Sequence, residues 1–570
     1  MAFAAAHTCF QQRTGRELTM RSVSRTLAAP WLIVFALALL AGIYLRCYQL
    51  DSQLLLDDEW HAIHKLLGSD ARDIATHLGY ADYSIPLTLY YRFLFLHGVL
   101  TELGMRLPMT LAGIALLIVA PWLARGIAPF STRMAWTALM SISPLMIWHS
   151  RTARPYAVTT LLIFAALMAF RECWRCPEQR WRWAPVYVAA ALFAGWLHLI
   201  TLPFLLLPFA YYGVVALGDI AAGSNRSRAR LQLRWLIVLG IITAAILGVV
   251  ILPPMLNDWT SLAAKAGSDV VTFESAYRSL LICFGIASPL LFCVFVVLFV
   301  IGVRSFWRRD RDLVGYLAVV LLLGTAAIAA SKPAWVSHAP TYARYIQPVI
   351  PFLLLAVAEG AMYLIGGIRK QTPQAGIVVA AMGGLYLAGP IPGYLYNPNQ
   401  FMGDAYFQFD YDPAHNPYLI KLPHGPIPSF YYQLGQRPAR SLTLIETPWS
   451  LETTSDPQPL YQKVHRQKIK IALTTPECGV HSYGNYPESA TGMRLKQFVH
   501  VSALLRGEIA AADFLVVHLR SWPDPVRPPS EWPDLSTCLP RIEQQFGPPI
   551  YRDNDIEAFA LTAAARDAVK

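Results

Sequence analysis

The chain has 570 residues, of which 55% are hydrophobic and only 15% are charged, and its formal net charge is +11. Its mean hydropathy of +0.39 and its repeated apolar stretches of about 20 residues exclude an ordinary soluble domain and are typical of membrane-spanning helices. Lys and Arg residues lie in short loops between these stretches rather than along one stripe. This distribution excludes nucleic-acid binding and indicates a polytopic membrane protein.

The N-terminal segment, residues 1–27, precedes the first long apolar run, Trp31 to Tyr48. Four basic residues lie ahead of this run: Arg13, Arg16, Arg21 and Arg25. The run is long and no small-residue cleavage site follows it. We therefore interpret it as an uncleaved signal-anchor with a cytoplasmic N-terminus.

An acidic cluster, Asp57, Asp58 and Glu59 in the sequence LLLDDEWH, follows in the predicted first external loop, residues 51–85. Three adjacent carboxylates repel one another and are costly where water is scarce. One or two of them could cap a helix that begins nearby. Carboxylates just outside the first membrane helix are also what a transferase needs if its substrate comes from a lipid carrier at the membrane surface. His61 and His64 lack a matching remote pair, so a solvated helix face is favoured over a metal site there.

The membrane domain is predicted to occupy residues 28–395, with about 11–12 transmembrane helices in all. The apolar segments after the first are 107–124, 134–149, 156–170, 184–199, 203–218, 235–253, 280–303, 313–330, 346–366 and 375–395. Basic loops alternate with them and are predicted to be cytoplasmic, which places the other loops on the external side. Pro86 to Leu103 is apolar enough to cross but would reverse the parity of later loops, so a partial crossing is predicted.

The composition changes after Tyr394. Residues 396–570 contain no spanning segment, and they are predicted to form a small external, periplasmic α/β domain with β-like runs at 441–445, 468–473, 512–519 and 557–561 and a helix at 492–505. Cys478 and Cys538 are the only cysteines of this region, so a disulfide between them is predicted if the domain is external. Cys173 and Cys176 form a CxxC without a second pair, which is a weak indication of zinc or redox chemistry.

Several unusual polar residues beside the membrane fall on the predicted external side, as the acidic cluster does. They are the substrate-binding candidates Arg151, Arg154, Tyr156, His198, His338, Tyr342, Arg344 and Tyr345. A carboxylate can take a proton from an acceptor hydroxyl, and Arg and His can neutralise a phosphate leaving group. Each candidate also has a structural interpretation, since Arg often snorkels at helix ends, Tyr belongs to interfacial belts and His can cap a turn.

Four stretches in order resemble one family: LDDEWH, PLTLYYRFLFLHG, MRLPMTLAGIALLIVAPWLARGI and SPLMIWHSRTARPYAVTTLL. Together with a later RYIQPVIPF, they resemble the glycosyltransferase C superfamily, in the branch of protein O-mannosyltransferases and bacterial lipid A aminoarabinose transferases (glycosyltransferase family 39-like). Each motif is degenerate alone, and the ordered set is fairly specific.

The resemblance implies a bacterial inner-membrane enzyme that uses a polyprenyl-phosphate-linked sugar as donor and inverts the anomeric centre. It also implies that an acidic residue of the first external loop is the base, here Asp57 or Asp58 with Glu59 as neighbour. Some relatives place another carboxylate where this chain has Arg154-Pro155-Tyr156. Since it is missing here, no divalent metal or other cofactor is assigned.

We therefore predict a membrane glycosyltransferase that passes a hexosyl or pentosyl group to an envelope lipid, glycan or protein acceptor. A ligase or phosphotransferase using the same kind of carrier would share the charged loops but not the ordered motifs. A transporter or flippase of a lipid-linked substrate predicts ionisable or Gly/Pro-broken positions inside the spans and a repeat between halves. A non-catalytic sensor does not require so many spans.

Overall fold

The computed structural model describes most of the membrane part and the sheet of the C-terminal part. The described residues are 25–50, 55, 59, 69–78, 84–97, 99–223, 226–265, 267, 269–286, 288–396, 427–447, 458–471, 512–519, 535–536 and 539–569. Several predictions fall outside these residues: Asp57, Asp58, His61, His64, Cys478, Cys538 and the helix at 492–505. The chain divides into a first unit, residues 1–47, 108–151 and 155–389, and a second unit, residues 48–107, 152–154 and 390–570.

Helices account for nearly all of the described residues up to 396. In chain order they are α1 (Arg25–Cys47), α2 (Ala71–Thr76), α3 (Ile85–Leu96), α4 (Glu102–Leu123), α5 (Phe130–Ser141), α6 (Pro144–Ser150), α7 (Tyr156–Arg175), α8 (Arg180–Leu197), α9 (Leu202–Ala221), α10 (Arg226–Asn257), α11 (Trp259–Lys265), α12 (Phe273–Phe284), α13 (Pro289–Arg309), α14 (Arg311–Ala330), α15 (Ala339–Tyr345), α16 (Ile350–Ile365), α17 (Gln371–Ala388) and α18 (Ile391–Tyr396).

Eight helices in the described part of the chain are long and apolar enough to cross a membrane: α1, α4, α7, α9, α10, α13, α14 and α16. Large apolar side chains on them are exposed, as Val214 at 71% and Leu322 at 70% illustrate. Water does not tolerate so much exposed apolar surface, whereas lipid does. The chain is a multi-pass membrane protein with a mainly helical fold, as predicted.

The segment predicted to cross only partly forms α3, which has 12 residues. At about 1.5 Å per residue, such a helix spans about 18 Å, well short of a hydrocarbon core of about 30 Å. The predicted segment 134–149 is also interrupted, because α5 ends at Ser141 and α6 begins at Pro144. Gly285 packs against Pro144 in a left-handed conformation with φ of 74°, and a side chain at this position would collide with the proline ring. The break in the helix and the close packing of Gly285 against Pro144 together fix the position at which α6 begins.

Helices α13 and α16 cross with their backbones in close contact. A β-carbon on Gly302 would collide with the carbonyl of Ala356, and one on Gly360 would collide with the carbonyl of Leu298. Small residues at such crossings let helices approach closely in a membrane. Next to Gly360, the buried Glu359 is ion-paired with Arg309 and accepts hydrogen bonds from the hydroxyls of Thr132 (2.9 Å) and Ser305 (2.7 Å).

The C-terminal part of the second unit contains a five-stranded sheet with short helices. Its elements are α19 (Ser429–Gly435), β1 (Thr443–Thr447), α20 (Gln458–His465), β2 (Lys468–Ile471), β3 (Phe514–His518), α21 (Leu539–Phe546), β4 (Tyr551–Arg552), β5 (Ile556–Ala560) and α22 (Ala563–Ala568). The strand order is β2-β1-β3-β5-β4. The first three strands are parallel, and β5 pairs antiparallel with β3 and β4.

Alternate residues of the strands pack into two apolar cores, one on each face of this sheet. Leu444, Phe514 and Val516 contribute to the core that includes Phe430 of α19. Ile445 and Leu515 contribute to the core that includes Ile542 of α21 and other residues of the second face. Burial on both faces explains why β3, with the sequence FLVVH, is a nearly continuous apolar run.

Candidate active site

In the second unit, Glu59 is tied to Arg106, near the start of α4. The Nε and Nη2 atoms of Arg106 donate to the two carboxylate oxygens of Glu59, each at 2.8 Å. The other terminal nitrogen of Arg106 donates to the carbonyl of Leu50 at 3.0 Å. Both side chains are buried, with Arg106 at 0% and Glu59 at 1% exposure. Planar, bidentate pairing of this kind compensates for the loss of water around a buried charge.

The same carboxylate holds the backbone of the motif that carries Arg154. Glu59 Oε1 accepts the backbone N–H of Ala153 at 2.7 Å. The hydroxyl of the fully buried Tyr91 donates to the Ala153 carbonyl at 3.1 Å. Arg154 follows directly in the chain and is itself buried, at 7% exposure. Glu59 is thus committed to an ion pair and to a backbone N–H, which are the contacts of an anchoring residue.

Arg151 lies in the first unit at the C-terminal end of α6, where it binds the end of α1. One of its terminal nitrogens donates to the carbonyls of Leu45 (3.1 Å) and Arg46 (3.3 Å). The last carbonyls of a helix lack partners within the helix and carry partial negative charge, so a guanidinium there is stabilising. Arg151 therefore stabilises the C-terminal end of α1, and its predicted contact with the substrate stays a prediction.

A cluster of aromatic and imidazole rings, one guanidinium and one amide forms elsewhere in the first unit. We call it the ring cluster; its members are His149, Tyr156, His198, Arg344, Tyr345 and Gln347. They come from the end of α6, the start of α7, the turn between α8 and α9, and the end of α15 with the turn that follows it. Three sequence-distant motifs, HSRTARPYA, GWLHLITLPF and TYARYIQP, therefore meet in one place.

Tyr156 is the centre of the ring cluster. Its ring centroid lies 4.8 Å from that of His149 and 5.6 Å from that of His198. The Arg344 guanidinium carbon lies 5.5 Å from the Tyr156 ring and 5.0 Å from the Tyr345 ring. His198 and Tyr345 are also neighbours, with centroids 6.0 Å apart. A guanidinium held between tyrosine rings is fixed in position by cation–π contacts, and imidazoles and phenols around it add hydrogen-bonding groups suited to an oxyanion.

Local backbone features present these side chains. His198 is in an extended conformation between two helices, and its Nδ1 accepts the N–H of Ile200 at 3.4 Å. Tyr156 is the first residue of α7, and Pro155 precedes it at the N-cap. Arg344 and Tyr345 are the last two residues of the short helix α15. Helix ends place side chains beside backbone irregularities, where polar groups can be satisfied inside a membrane protein.

Two further sequence candidates contact other parts of the first unit. The His338 ring stacks on Trp335, with centroids 5.5 Å apart. The Tyr342 hydroxyl donates to the carbonyl of Thr325 at 3.4 Å, and burial raises the pKa of Tyr342 to about 12. Tyr342 therefore acts as a neutral hydrogen-bond donor, and its role in substrate binding stays a prediction.

Sequence reasoning did not single out Arg106, His149 or Gln347. All three lie within the motif stretches already quoted. A polar residue inside an otherwise apolar motif was the feature of the sequence that could have identified them. Within the described ranges, no group of three or more His, Cys, Asp or Glu residues is arranged to hold a metal ion. Cys173 of the CxxC is a buried free thiol.

No family model matches this sequence, and no curated protein matches it. Among solved structures, the chain is similar to ArnT from Cupriavidus metallidurans in the apo state, with a TM-score of 0.47 and 13% identity, covering 94% of this chain and 99% of that chain.

Two further solved structures are similar at comparable values. The same ArnT bound to undecaprenyl phosphate has a TM-score of 0.45 and 13% identity, covering 94% of this chain and 99% of that chain. The archaeal oligosaccharyltransferase AglB from Archaeoglobus fulgidus, in complex with an inhibitory peptide and a dolichol-phosphate, has a TM-score of 0.43 and 12% identity. This likeness covers 86% of the chain and 69% of AglB.

Proposed function

We propose that this protein is a membrane glycosyltransferase that transfers a sugar from a polyprenyl-phosphate-linked donor to an envelope lipid, glycan or protein acceptor on the external face of the membrane. The observation that carries the proposal is the ring cluster, in which Arg344 is fixed between Tyr156 and Tyr345. The ordered sequence motifs and this geometry support the proposal, and the likeness to solved structures is not needed for it.

The ring cluster is suited to the phosphate of the donor. Arg344 would neutralise one phosphate oxygen, and His198 and the tyrosine hydroxyls would donate to the others. The Tyr156 and Tyr345 rings hold the Arg344 guanidinium in position through cation–π contacts. In the reaction, the departing polyprenyl phosphate gains negative charge, which a preorganised cation stabilises.

The base in this proposal is Asp57 or Asp58. Glu59 is the weakest of the three candidates, since both of its oxygens bind Arg106 and one also binds the N–H of Ala153. The base removes the proton of an acceptor hydroxyl or amine as the acceptor atom attacks the anomeric carbon. The bond from that carbon to the phosphate oxygen breaks, and its electron pair leaves with the polyprenyl phosphate. A single displacement of this kind inverts the anomeric centre.

The test begins with purified protein in nanodiscs and undecaprenyl phosphate as the binding probe. Wild type should bind it, Arg344→Gln should weaken binding at least tenfold, and Arg344→Lys should retain part of the affinity. Arg228→Gln is the matched control, because Arg228 is exposed in the first turn of α10, and it should bind like wild type. A wild type that is folded but does not bind the phosphate would overturn the proposal.

Transfer is then measured with radiolabelled polyprenyl-phosphate sugars, and envelope extracts serve as acceptors. Asp57→Asn and Asp58→Asn are compared with wild type, and one of them should abolish transfer without loss of donor binding. A flippase, the alternative function, predicts movement of the labelled lipid between the leaflets of a liposome without any new glycosidic bond. That outcome would replace the transferase proposal.

A further inference from the structure

His149 and Gln347 form a hydrogen-bonded pair inside the first unit. His149 Nδ1 meets Gln347 Oε1, and both residues are buried, with exposures of 0% and 1%. They are 198 positions apart in the chain. His149 is in the last turn of α6, and Gln347 begins the short turn between α15 and α16.

The chemistry of this pair fixes where one proton of the imidazole lies. An amide oxygen only accepts, so Nδ1 of His149 carries a proton and donates it to Gln347 Oε1. This hydrogen bond sets the orientation of the His149 ring.

The pair joins two motifs that each contribute to the ring cluster. On one side of the pair, the His149 ring packs 4.8 Å from Tyr156. On the other side, Gln347 follows Arg344 and Tyr345 by three and two residues, and Arg344 lies 5.5 Å from the Tyr156 ring. The hydrogen bond thus ties the neighbour of Tyr156 to the chain segment that carries Arg344.

We infer that His149 and Gln347 are positioning residues, and that their hydrogen bond sets Arg344 and Tyr156 at the spacing that binds the phosphate of the polyprenyl carrier. This inference rests on the proposed function, because it concerns the same phosphate site. The simpler possibility is a hydrogen bond that stabilises the fold and has no effect on the ligand. The two differ in what happens to phosphate affinity when the protein remains folded.

A double-mutant cycle separates them. His149→Phe keeps a ring and removes Nδ1, and Gln347→Met keeps the length and removes the amide. Each single variant should weaken binding of undecaprenyl phosphate about tenfold, and the double variant should be no weaker than the singles, because both changes break one interaction. Gln347→Glu retains an acceptor oxygen and should restore most of the affinity.

Tyr316→Phe is the matched control. The Tyr316 hydroxyl is fully buried and makes a long-range hydrogen bond of 3.0 Å to the carbonyl of Leu167. Its loss should lower the melting temperature and leave phosphate affinity unchanged. Variants of the pair that are folded and bind like wild type would overturn the inference while leaving the proposed function intact. Additive losses, matched by a similar loss in Tyr316→Phe, would also overturn it.

Gln347→Glu gives a second test that needs only one folded variant. A carboxylate beside Nδ1 stabilises the imidazolium of His149, so the pH profile of phosphate affinity between about pH 5.5 and 8 should differ from that of wild type. An identical pH profile in variant and wild type would contradict the inference. If wild type itself fails to bind the phosphate, the proposed function fails, and the inference fails with it.

Discussion

Glu59 and Arg106, 47 positions apart in the chain, share two hydrogen bonds of 2.8 Å in a fully buried ion pair. Oε1 of the same carboxylate accepts the N–H of Ala153 at 2.7 Å. One acidic residue of the cluster therefore anchors the start of α4 and the motif that contains Arg154. Glu59 is thus assigned an anchoring role, and the general base is proposed for Asp57 or Asp58.

The first prediction separates anchoring from catalysis. Glu59→Gln should destabilise the protein by about 3–5 kcal/mol, because it leaves Arg106 as an uncompensated buried charge. Thermal unfolding in detergent measures this effect. Asp57→Asn and Asp58→Asn are the comparison: one of them should abolish transfer, and neither should lower the melting temperature as far as Glu59→Gln does. A stable Glu59→Gln with normal unfolding would show that the ion pair is not an anchor.

The second prediction concerns the two arginines assigned to different tasks. Arg151→Gln should lower stability by about 1–2 kcal/mol, because the C-terminal carbonyls of α1 lose their cation. Its affinity for undecaprenyl phosphate, measured in nanodiscs below the melting temperature, should change less than threefold. Arg344→Gln should show the reverse, with a near-normal melting temperature and a large loss of affinity. Equal losses of affinity in both variants would contradict this division and indicate that Arg151 also binds the phosphate.

The third prediction tests the helix crossing of α13 and α16. Gly302→Ala should cost at least about 1–3 kcal/mol, because the new methyl group has no space against the carbonyl of Ala356. Gly384→Ala in α17 is the matched control, since no atom lies within 4 Å of its β-carbon position. The control should be neutral or slightly stabilising by helix propensity. Thermal unfolding of both variants under one condition gives the comparison.

The fourth prediction concerns pH and the C-terminal sheet. His465 is fully buried, and its Nδ1 accepts the N–H of Gln467 at 2.9 Å. Burial lowers the pKa of His465 from 6.5 to about 3. Between these values the unfolded chain binds a proton that the folded chain does not, so stability falls as the pH falls through this window. The loss from pH 7 to pH 5 should be about 2 kcal/mol.

Hydrogen exchange at the amides of β1 and β2 in the full-length protein would report this loss. His465→Gln is the control, because glutamine keeps an acceptor and does not titrate. In that variant, the protection of the strands should change less between pH 7 and pH 5, whatever its absolute stability. Equal pH sensitivity in the variant and wild type would assign the effect to another group.

Much of the fold could be predicted because membrane helices and buried strands leave strong apolar patterns. Predicted β-like runs at 441–445, 468–473, 512–519 and 557–561 lie within two residues of the ends of β1, β2, β3 and β5. α3 has 12 residues and is shorter than the predicted segment 86–103, and the partial crossing stays a prediction. The strand order β2-β1-β3-β5-β4 and the two-residue β4 were beyond the sequence, because pairing depends on contacts between distant segments.

Individual residues of the candidate site could be predicted from the sequence, but their contact partners could not. Tyr156, His198, Arg344 and Tyr345 do come together, since polar residues that interrupt apolar segments mark the places where helices end. Partners could not be assigned in this way, so Arg106 and Gln347 were passed over. His338 and Tyr342 have the same sequence context but pack against Trp335 and Thr325. The roles of Asp57 and Asp58 stay predictions.

The separation of His149 from Gln347 has a consequence for how the protein is made. Membrane helices enter the bilayer in the order of synthesis, and His149 is buried in the finished first unit with a partner that emerges 198 residues later. Until that partner has been translated, the imidazole must remain hydrated or bind provisionally elsewhere. The segment from α15 onwards is therefore required before the ring cluster can close, and a nascent chain that stops short of α15 would be inserted but incompetent.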